Sequence, residues 1–554
     1  MNRIRRLGDI ISEYTTYLTN NNNPSNAKKV KELIETLSPE IKINNSMLSS
    51  KKTINYEIYN VSDLISDLSE YSQNRKRRGA YYTPKDVISF MVNNTVLKYL
   101  SKEEQVYTSK EAYKKILSKP KNVLMNFCKE VSVLDPTCGS GDFLLEILHL
   151  KISILKEINE LNYANILCVL LTIYGNDMDE FAALATKIRI GLFLVNYVDN
   201  NQITELYKSI DSSIYNKDFI FEKIPGNIQV DIIIGNPPYV EYRQLDKTPE
   251  KKMGNLYANV LDLSIEYLNP KGIMTYIIPI SFTATKRMRT IRSEIFNNFQ
   301  SVTLLHFADR PASLFQNVHQ KLDILIGENK GNKLKYLYTS QYNYFYKNDR
   351  EKLFDNLTVI RNEDYEEDFI PKYGNSIQKS IYNKVLASYG DKNLLMILKK
   401  PVDTVDNNIF LSKRAAFFIK SFLYYPNSTE YTEYSVVGMS NKILYAILNS
   451  SLFWYYWNIV SDGWHLVNKD LLHFRIPVIT NHDTQRLSEL ATQLMNRLEE
   501  TKVYVGTKQT DYEYKHRLAF DILDKIDETV ANIYNLTEDE LTGVKSYARK
   551  YRGG

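Results

Sequence analysis

Between residues 131 and 326 short apolar runs, each followed by a stretch with helical spacing, recur along the chain. They are Val131 to Leu134, Leu171 to Tyr174, Val230 to Ile234, Gly272 to Ile278, Val302 to His306 and Leu322 to Ile326. Short strands alternating with helices predict a mostly parallel sheet covered by helices. One run constrains the fold further. Val230-Asp231-Ile232-Ile233-Ile234-Gly235 stops at Asn236-Pro237-Pro238-Tyr239. Two successive prolines cannot donate to a ladder, so the strand must end there in a rigid bend. Open α/β sheets bind ligands beyond the carboxyl ends of their strands. An amide and a phenol ring fixed at that edge therefore read as a site.

Two further strand ends carry polar turns. Val133-Leu134-Asp135-Pro136-Thr137-Cys138-Gly139-Ser140-Gly141-Asp142-Phe143 reads as strand, glycine turn and helix start. Gly139 and Gly141 permit positive φ and a close ligand approach at a helix N-terminus. The full Gly-x-Gly-x-x-Gly fingerprint is missing, which argues against a nicotinamide or flavin enzyme. Asp135 suits a cationic ligand group better than a pyrophosphate. The next strand leads into Gly175-Asn176-Asp177-Met178-Asp179, where Asp177 is placed to accept from ribose hydroxyls. It lies further along than the usual interval of about 20 residues, so a longer helical segment must intervene. In Asn216-Lys217-Asp218-Phe219, Asp218 either accepts from an exocyclic amine or caps a turn, and Phe219 could pack on a purine face.

Composition narrows the class. The three cysteines, Cys128, Cys138 and Cys168, have no Cys-x-x-Cys spacing and no His/Cys cluster suggests zinc, so no metal and a reducing cytoplasm are expected. No signal-like segment or membrane-length apolar run appears, so a soluble cytoplasmic protein is expected. The net charge of +5 is too small to announce nucleic acid by itself. Basic islands at Arg75-Lys76-Arg77-Arg78 and Lys286-Arg287-Met288-Arg289-Thr290-Ile291-Arg292, with 42 tyrosines, fit phosphate contacts with base stacking, or merely solvated helix faces. Residues 1–78 form a helical extension with a polar break at Asn20 to Pro24, and 79–345 the strand-rich domain. A stretch around 330 to 350 without clear periodicity marks a boundary before a mixed region, 346–554. That region holds helical stretches near 444 to 457, 482 to 504 and 511 to 534, and a capping box at Thr537 to Glu540. Most of its aromatics belong to a core, whereas Ser461-Asp462-Gly463-Trp464-His465 is a polar loop suited to approach bases or phosphates.

The order Gly79-Ala80-Tyr81-Tyr82-Thr83-Pro84, then Asp135 to Gly141, Asp177, Asp218-Phe219 and Asn236-Pro237-Pro238-Tyr239 resembles the gamma group of S-adenosylmethionine-dependent DNA amino-methyltransferases. The resemblance covers residues 79 to 330 strongly and the remainder only in general layout. It implies a Rossmann-like class I methyltransferase domain, a carboxy-terminal mixed α/β target-recognition domain and N6-adenine methylation in restriction-modification. It also implies double-stranded DNA as partner, and a separate cognate restriction endonuclease. Carried over by position, Thr83 lies near the methionine carboxylate of S-adenosylmethionine and Asp135 near its ammonium. The glycine turn contacts methionine and ribose, Asp177 the ribose hydroxyls, and Asp218 with Phe219 the adenine ring. Asn rather than Ser at 236 favours adenine over cytosine by the same resemblance. Ala312 to Val318 resembles the family's later motif, whose aromatic, here Phe315, packs on the flipped base.

The chemistry fits the tetrapeptide. The Asn236 side-chain oxygen and the Pro237 carbonyl can each accept one hydrogen of an exocyclic amine and localise its lone pair. A base must leave the duplex stack to reach them, and Tyr239 offers a stacking face. Methyltransferases of RNA or of a protein glutamine amide share such a loop, but the large region after 350 argues against these usually compact enzymes. A non-catalytic DNA-specificity subunit is opposed by the intact tetrapeptide and glycine turn. A fused nuclease is opposed by the short segment before 79 and by the lack there of a separated Asp with Glu-x-Lys.

Overall fold

The computed structural model describes residues 3–21, 23–41, 60–70, 82–315, 318–387, 392–401 and 407–553. The island Arg75 to Arg78, the motif residues Gly79, Ala80 and Tyr81, and Gln316 and Asn317 lie outside them.

A nine-stranded sheet organises the centre. Its strands are β1 (Val133–Asp135), β2 (Ile173–Asn176), β3 (Ile214–Tyr215), β4 (Val230–Gly235), β5 (Leu268–Pro279), β6 (Phe299–Phe307), β7 (Leu322–Asn329), β8 (Tyr336–Asn343) and β9 (Ile360–Arg361). They lie in the order β3-β2-β1-β4-β5-β7-β6-β8-β9. The first five run parallel, β7 is antiparallel to both neighbours, β8 is parallel to β6 and β9 antiparallel to β8. The expected α/β, mostly parallel architecture is present.

Side chains alternate along the central strands, so the sheet divides two cores. Val133, Ile232, Ile234, Ile273 and Ile277 face one, and Leu134, Ile233, Met274, Tyr276 and Ile278 the other. Crossovers between parallel strands are right-handed, so reversing the direction of strand addition moves the helices to the opposite face. Accordingly α5 (Asp142–Glu157) and α6 (Glu180–Leu194), which follow β1 and β2, pack in the first core with α4 (Lys85–Ser101). The helix α7 (Leu256–Tyr267), which follows β4, packs in the second. Strand order therefore reverses between β1 and β4, and the crevice at their carboxyl ends is the place where such sheets bind ligands.

The amino-terminal helices α1 (Arg3–Asn20), α2 (Pro24–Leu37) and α3 (Val61–Glu70) join the first core. The polar break separates α1 from α2, where Pro24 opens the helix and the Asn23 side chain accepts from Asn26 N–H.

Some elements differ from the sequence expectation. Leu171 ends a helix, Tyr163–Leu171, so β2 starts two residues later than its apolar run. The aperiodic stretch at 330 to 350 contains β8, whose Tyr, Thr, Ser and Gln side chains hide the strand; only its alternating burial reveals it. The run 444 to 457 is two helices, Asn441–Asn449 and Ser451–Val460, because Ser450 caps the second by accepting from Phe453 N–H. Its aromatics Tyr445, Trp454, Tyr455, Tyr456 and Trp457 are all buried, as expected. The last long helix begins only at Phe520, since Tyr512–Glu513 pairs with Val503–Tyr504 instead. The Thr537 capping box is present. A small antiparallel sheet precedes these helices: β10 (Leu398–Lys399), β11 (Asn408–Ser412), β12 (Ser421–Phe422) and β13 (Tyr431–Val436), in the order β10-β13-β11-β12. Among the described residues no helix is long and apolar enough to cross a membrane.

Candidate active site

The crevice between β1 and β4 brings Asp135 beside Gly235. A Cβ at Gly235 would stand 2.6 Å from Asp135 Oδ1, so glycine is what leaves the carboxylate room there. Asp135 is 1% exposed and accepts from Thr137 N–H at 3.1 Å. Burial first, then the charges of Asp177 and Asp142, push its carboxyl well above the usual range against that hydrogen bond, and among the described residues no cationic side chain offsets them. A buried carboxylate without a counterion is costly and suits a cationic ligand.

The glycine turn is open on one side and closed on the other. Gly139 has φ +57° with nothing within 4 Å of the place a Cβ would take. Gly141 has φ +86°, and a Cβ there would meet Thr186 at 2.7 Å. Gly139 N–H donates to Asp177 Oδ2 at 2.9 Å, and Asp179 N–H to Asp177 Oδ1 at 2.8 Å. The 38-residue separation of Gly139 and Asp177 is taken up by α5 and the helix Tyr163–Leu171. Thr137 Oγ1 is buried without a hydrogen-bond partner among the described residues.

Asn176, which the sequence reading passed over, ties these turns together. It is 1% exposed; its Nδ2 donates to Pro136 O and Lys217 O, both at 3.0 Å, and its Oδ1 accepts from Lys217 N–H. That brings the Asp218 turn to the first two. The Asp218 carboxylate accepts from Ile220 N–H, which is the turn-capping arrangement. Phe219 is 6% exposed and packs on Tyr267 at 5.5 Å.

Beyond β4, Asn236 Nδ2 donates to Thr83 Oγ1 at 3.0 Å. The amide is thereby oriented, with its oxygen as the acceptor end, and Thr83 is joined to the tetrapeptide. Tyr239 donates its hydroxyl to Ile277 O at 2.8 Å and meets Tyr257 edge-on. Its ring and that of Phe315 are 20° from parallel with centroids 6.4 Å apart. The Phe315 loop is held by Arg350, which donates to Ser313 O and Leu314 O and forms an ion pair with Asp86 at 2.8 Å. Nothing in the local pattern around Arg350 signalled this.

Residues 172–315 match the family described as Eco57I restriction-modification methylase. That part of the chain is thus similar to restriction-modification methylases. The type II methyltransferase M.VspI of Vibrio sp. is 25% identical over 38% of this chain and 45% of its own length. The type II restriction enzyme and methyltransferase RM.Eco57I of Escherichia coli is 24% identical over 38% of this chain and 27% of its own. The chain thus spans less than half the length of these relatives. Among solved structures, the type IIL restriction-modification enzyme MmeI bound to DNA superposes with a TM-score of 0.51 at 13% identity, over 88% of this chain and 81% of that one, a likeness of fold. A methylase domain takes its methyl group from S-adenosylmethionine. The uncompensated Asp135 carboxylate, the open face at Gly139 and the Thr137 hydroxyl fit that group's ammonium and polar tail.

The polar loop of the carboxy-terminal region docks on the domain built around the nine-stranded sheet. Asp462 accepts from Trp464 N–H, His465 N–H and His465 Nδ1. Burial alone would raise its carboxyl, but hydrogen bonds from His465 and Trp464 outweigh it and hold it low. A Cβ on Gly463, at φ +71°, would collide with Tyr342 Oη. The Trp464 ring is flanked by Lys321 at 5.0 Å, Arg310 at 5.1 Å and Arg414 at 5.9 Å, and the first two bracket the Phe315 loop. Lys321 pairs with Asp309 and Arg414 with Glu430, whereas exposed Arg310 has no carboxylate partner among the described residues. The island at 286 to 292 makes ion pairs within the chain from largely exposed side chains. Arg287 pairs with Glu241, Arg289 with Glu367 and Lys286 with Asp368, while Arg292 is buried against Phe282 O, Thr285 O and Glu367 O.

Proposed function

We propose that the protein is a sequence-specific DNA methyltransferase that methylates adenine at N6, working in a restriction-modification system. The observation that carries this reading is the juxtaposition at one crevice of an open glycine turn with a buried carboxylate that no cation of the described residues offsets, and of an oriented amide beside near-parallel aromatic rings. S-adenosylmethionine, when bound, supplies an electrophilic sulfonium methyl. Asp135 would hold the ammonium, Thr83 would lie toward the carboxylate, Gly139 would leave room for methionine and ribose while Gly141 lets the turn pack on Thr186, Asp177 would accept from the ribose hydroxyls, and Asp218 with Phe219 would border the adenine.

The target amine is a weak nucleophile because its lone pair is delocalised into the ring. The Asn236 oxygen and the Pro237 carbonyl accept its two hydrogens and bring the lone pair out of the ring plane. Pro237 and Pro238 fix these acceptors with few free torsions, so positioning supplies much of the acceleration. The flipped base stacks on Tyr239, with Phe315 as second aromatic wall. Residues 1–78, 79–345 and 346–554 act as helical extension, catalytic domain and target-recognition domain, the sheet's closing strand β9 being contributed from beyond the second boundary. Trp464 with Arg310 presents a face suited to duplex backbone beside the base pocket. A cognate endonuclease would act as a separate protein, and the compartment is the cytoplasm.

The test is to incubate the purified protein with unmethylated genomic DNA and S-adenosylmethionine and map modified bases by single-molecule sequencing. N6-methyladenine in one recurrent motif is the expected result. No modified motif, with label transferred to RNA or to a glutamine amide instead, would overturn it.

A further inference from the structure

The helix α6 stands between the glycine turn and the amino-terminal helices, and touches both through polar contacts. Toward the turn, Thr186 Oγ1 donates to Gly139 O at 2.9 Å. Arg189 donates to Ser140 O at 2.5 Å and pairs with Asp142 at 2.9 Å. Toward the amino terminus, the same Arg189 donates through Nε to Ser62 Oγ of α3 at 2.9 Å. Ser66 of α3 also reaches the turn directly, its hydroxyl 2.8 Å from that of Ser140. At the start of α6, Arg3 of α1 pairs with Asp179 at 3.2 Å and lies over the Phe181 ring; Asp179 N–H in turn donates to Asp177. Near its end, a Cβ on Gly191 would collide with Leu33 of α2, and Lys29 of α2 donates to Val195 O and Val198 O.

We propose that the amino-terminal helices are part of the cofactor site, with Arg189 as the positioning residue through which their docking sets the affinity for S-adenosylmethionine. The guanidinium is 4% exposed and its planar fork satisfies three groups at once: a turn carbonyl, the first carboxylate of α5 and a hydroxyl of α3. A lysine has the charge without that geometry. Removal of α3's share leaves the fork under-determined and lets Ser140 and Gly141 move, which displaces the backbone the methionine part approaches. The inference rests on the cofactor reading above for its ligand, but the coupling of α3 to the glycine turn is a property of the protein alone.

The test therefore has two arms on the full chain. In the Ser62→Ala/Ser66→Ala variant, S-adenosylmethionine binds about tenfold more weakly by calorimetry, as loss of two hydrogen bonds allows, while duplex DNA binding without cofactor is unchanged. Arg189→Lys weakens cofactor binding further. In the second arm, amide hydrogen exchange at Gly139 to Phe143 accelerates in the cofactor-free double-serine variant while Val230 to Gly235 stays protected. Arg3→Gln, at a partly exposed site, accelerates exchange at Asp177 to Asp179 in the same way and guards against a folding defect at α3. Wild-type exchange at the turn in these variants would overturn the coupling. Failure of the unaltered protein to bind S-adenosylmethionine, with the exchange response intact, would instead overturn the cofactor reading.

Discussion

The two halves of the crevice are built from different materials. On the β1–β2–β3 side, three turns are cross-linked by hydrogen bonds through Asn176 and Asp177, and Arg189 ties the first to α5 and α3, around a carboxylate that lacks a cation among the described residues. On the β4 side, prolines and rings dominate, with Asn236 donating to Thr83 and Tyr239 to Ile277 O among the described residues. The first half can hold a ligand of fixed charge and shape in a preformed mould. The second offers acceptors and flat faces to a base that arrives only after leaving its duplex. Substitutions should accordingly separate cofactor binding from target handling.

The largest expected separation is at Asp135. Asp135→Asn should weaken S-adenosylmethionine at least about a hundredfold, in line with breaking a buried charge pair, and leave DNA binding intact. The same residue sets a pH signature. Its raised value in the free protein means that the folded state favours the protonated form, so its contribution to free-protein stability is lost as pH rises through that value. The cofactor ammonium needs the carboxylate, so affinity should rise with pH up to the same point and binding should release a proton. Calorimetry in buffers of different ionisation enthalpy measures that proton, and Asp135→Asn should abolish it.

At Tyr239 the effect is smaller and falls on the other half. Tyr239→Ala removes a stacking face of about 1–3 kcal/mol, which should lower kcat/KM about 5- to 150-fold with S-adenosylmethionine affinity unchanged. Tyr239→Phe keeps the ring and removes the bond to Ile277 O, of about 1 kcal/mol, and should cost less than tenfold. Equal losses in the two variants would mean that the hydroxyl, not the ring, matters. Smallest is Arg310→Gln, which should weaken duplex binding across sequences and reduce the slope of log K against log salt by about 1. An unchanged slope would remove Arg310 from the DNA face.

These halves also differed in how plainly the sequence displayed them. Apolar runs and the proline bend were enough to place β1, β4, β5, β6 and β7, because period and punctuation are local signals, whereas the switch between β1 and β4 shows only in the strand order. β8 escaped because its strand is written in Tyr, Thr, Ser and Gln and shows itself only by alternation. Asn176, Arg189, Gly235 and Arg350 escaped for another reason. Each acts on groups brought near only by the fold: Gly235 by its closeness to Asp135, Arg350 by reaching from beyond β8 to the Phe315 loop. The basic run at 286 to 292 shows the converse, since Arg287 pairs with Glu241 at the surface and Arg292 is buried on backbone carbonyls.

The central claim is that the strand-end amide holds the target amine. Single-turnover methyl transfer to duplex DNA by Asn236→Ala, measured beside its affinity for S-adenosylmethionine, tests it most directly. The account expects a fall in the transfer rate of about 10²- to 10³-fold or more, with cofactor affinity near that of the unaltered protein. A wild-type transfer rate in that variant would contradict it.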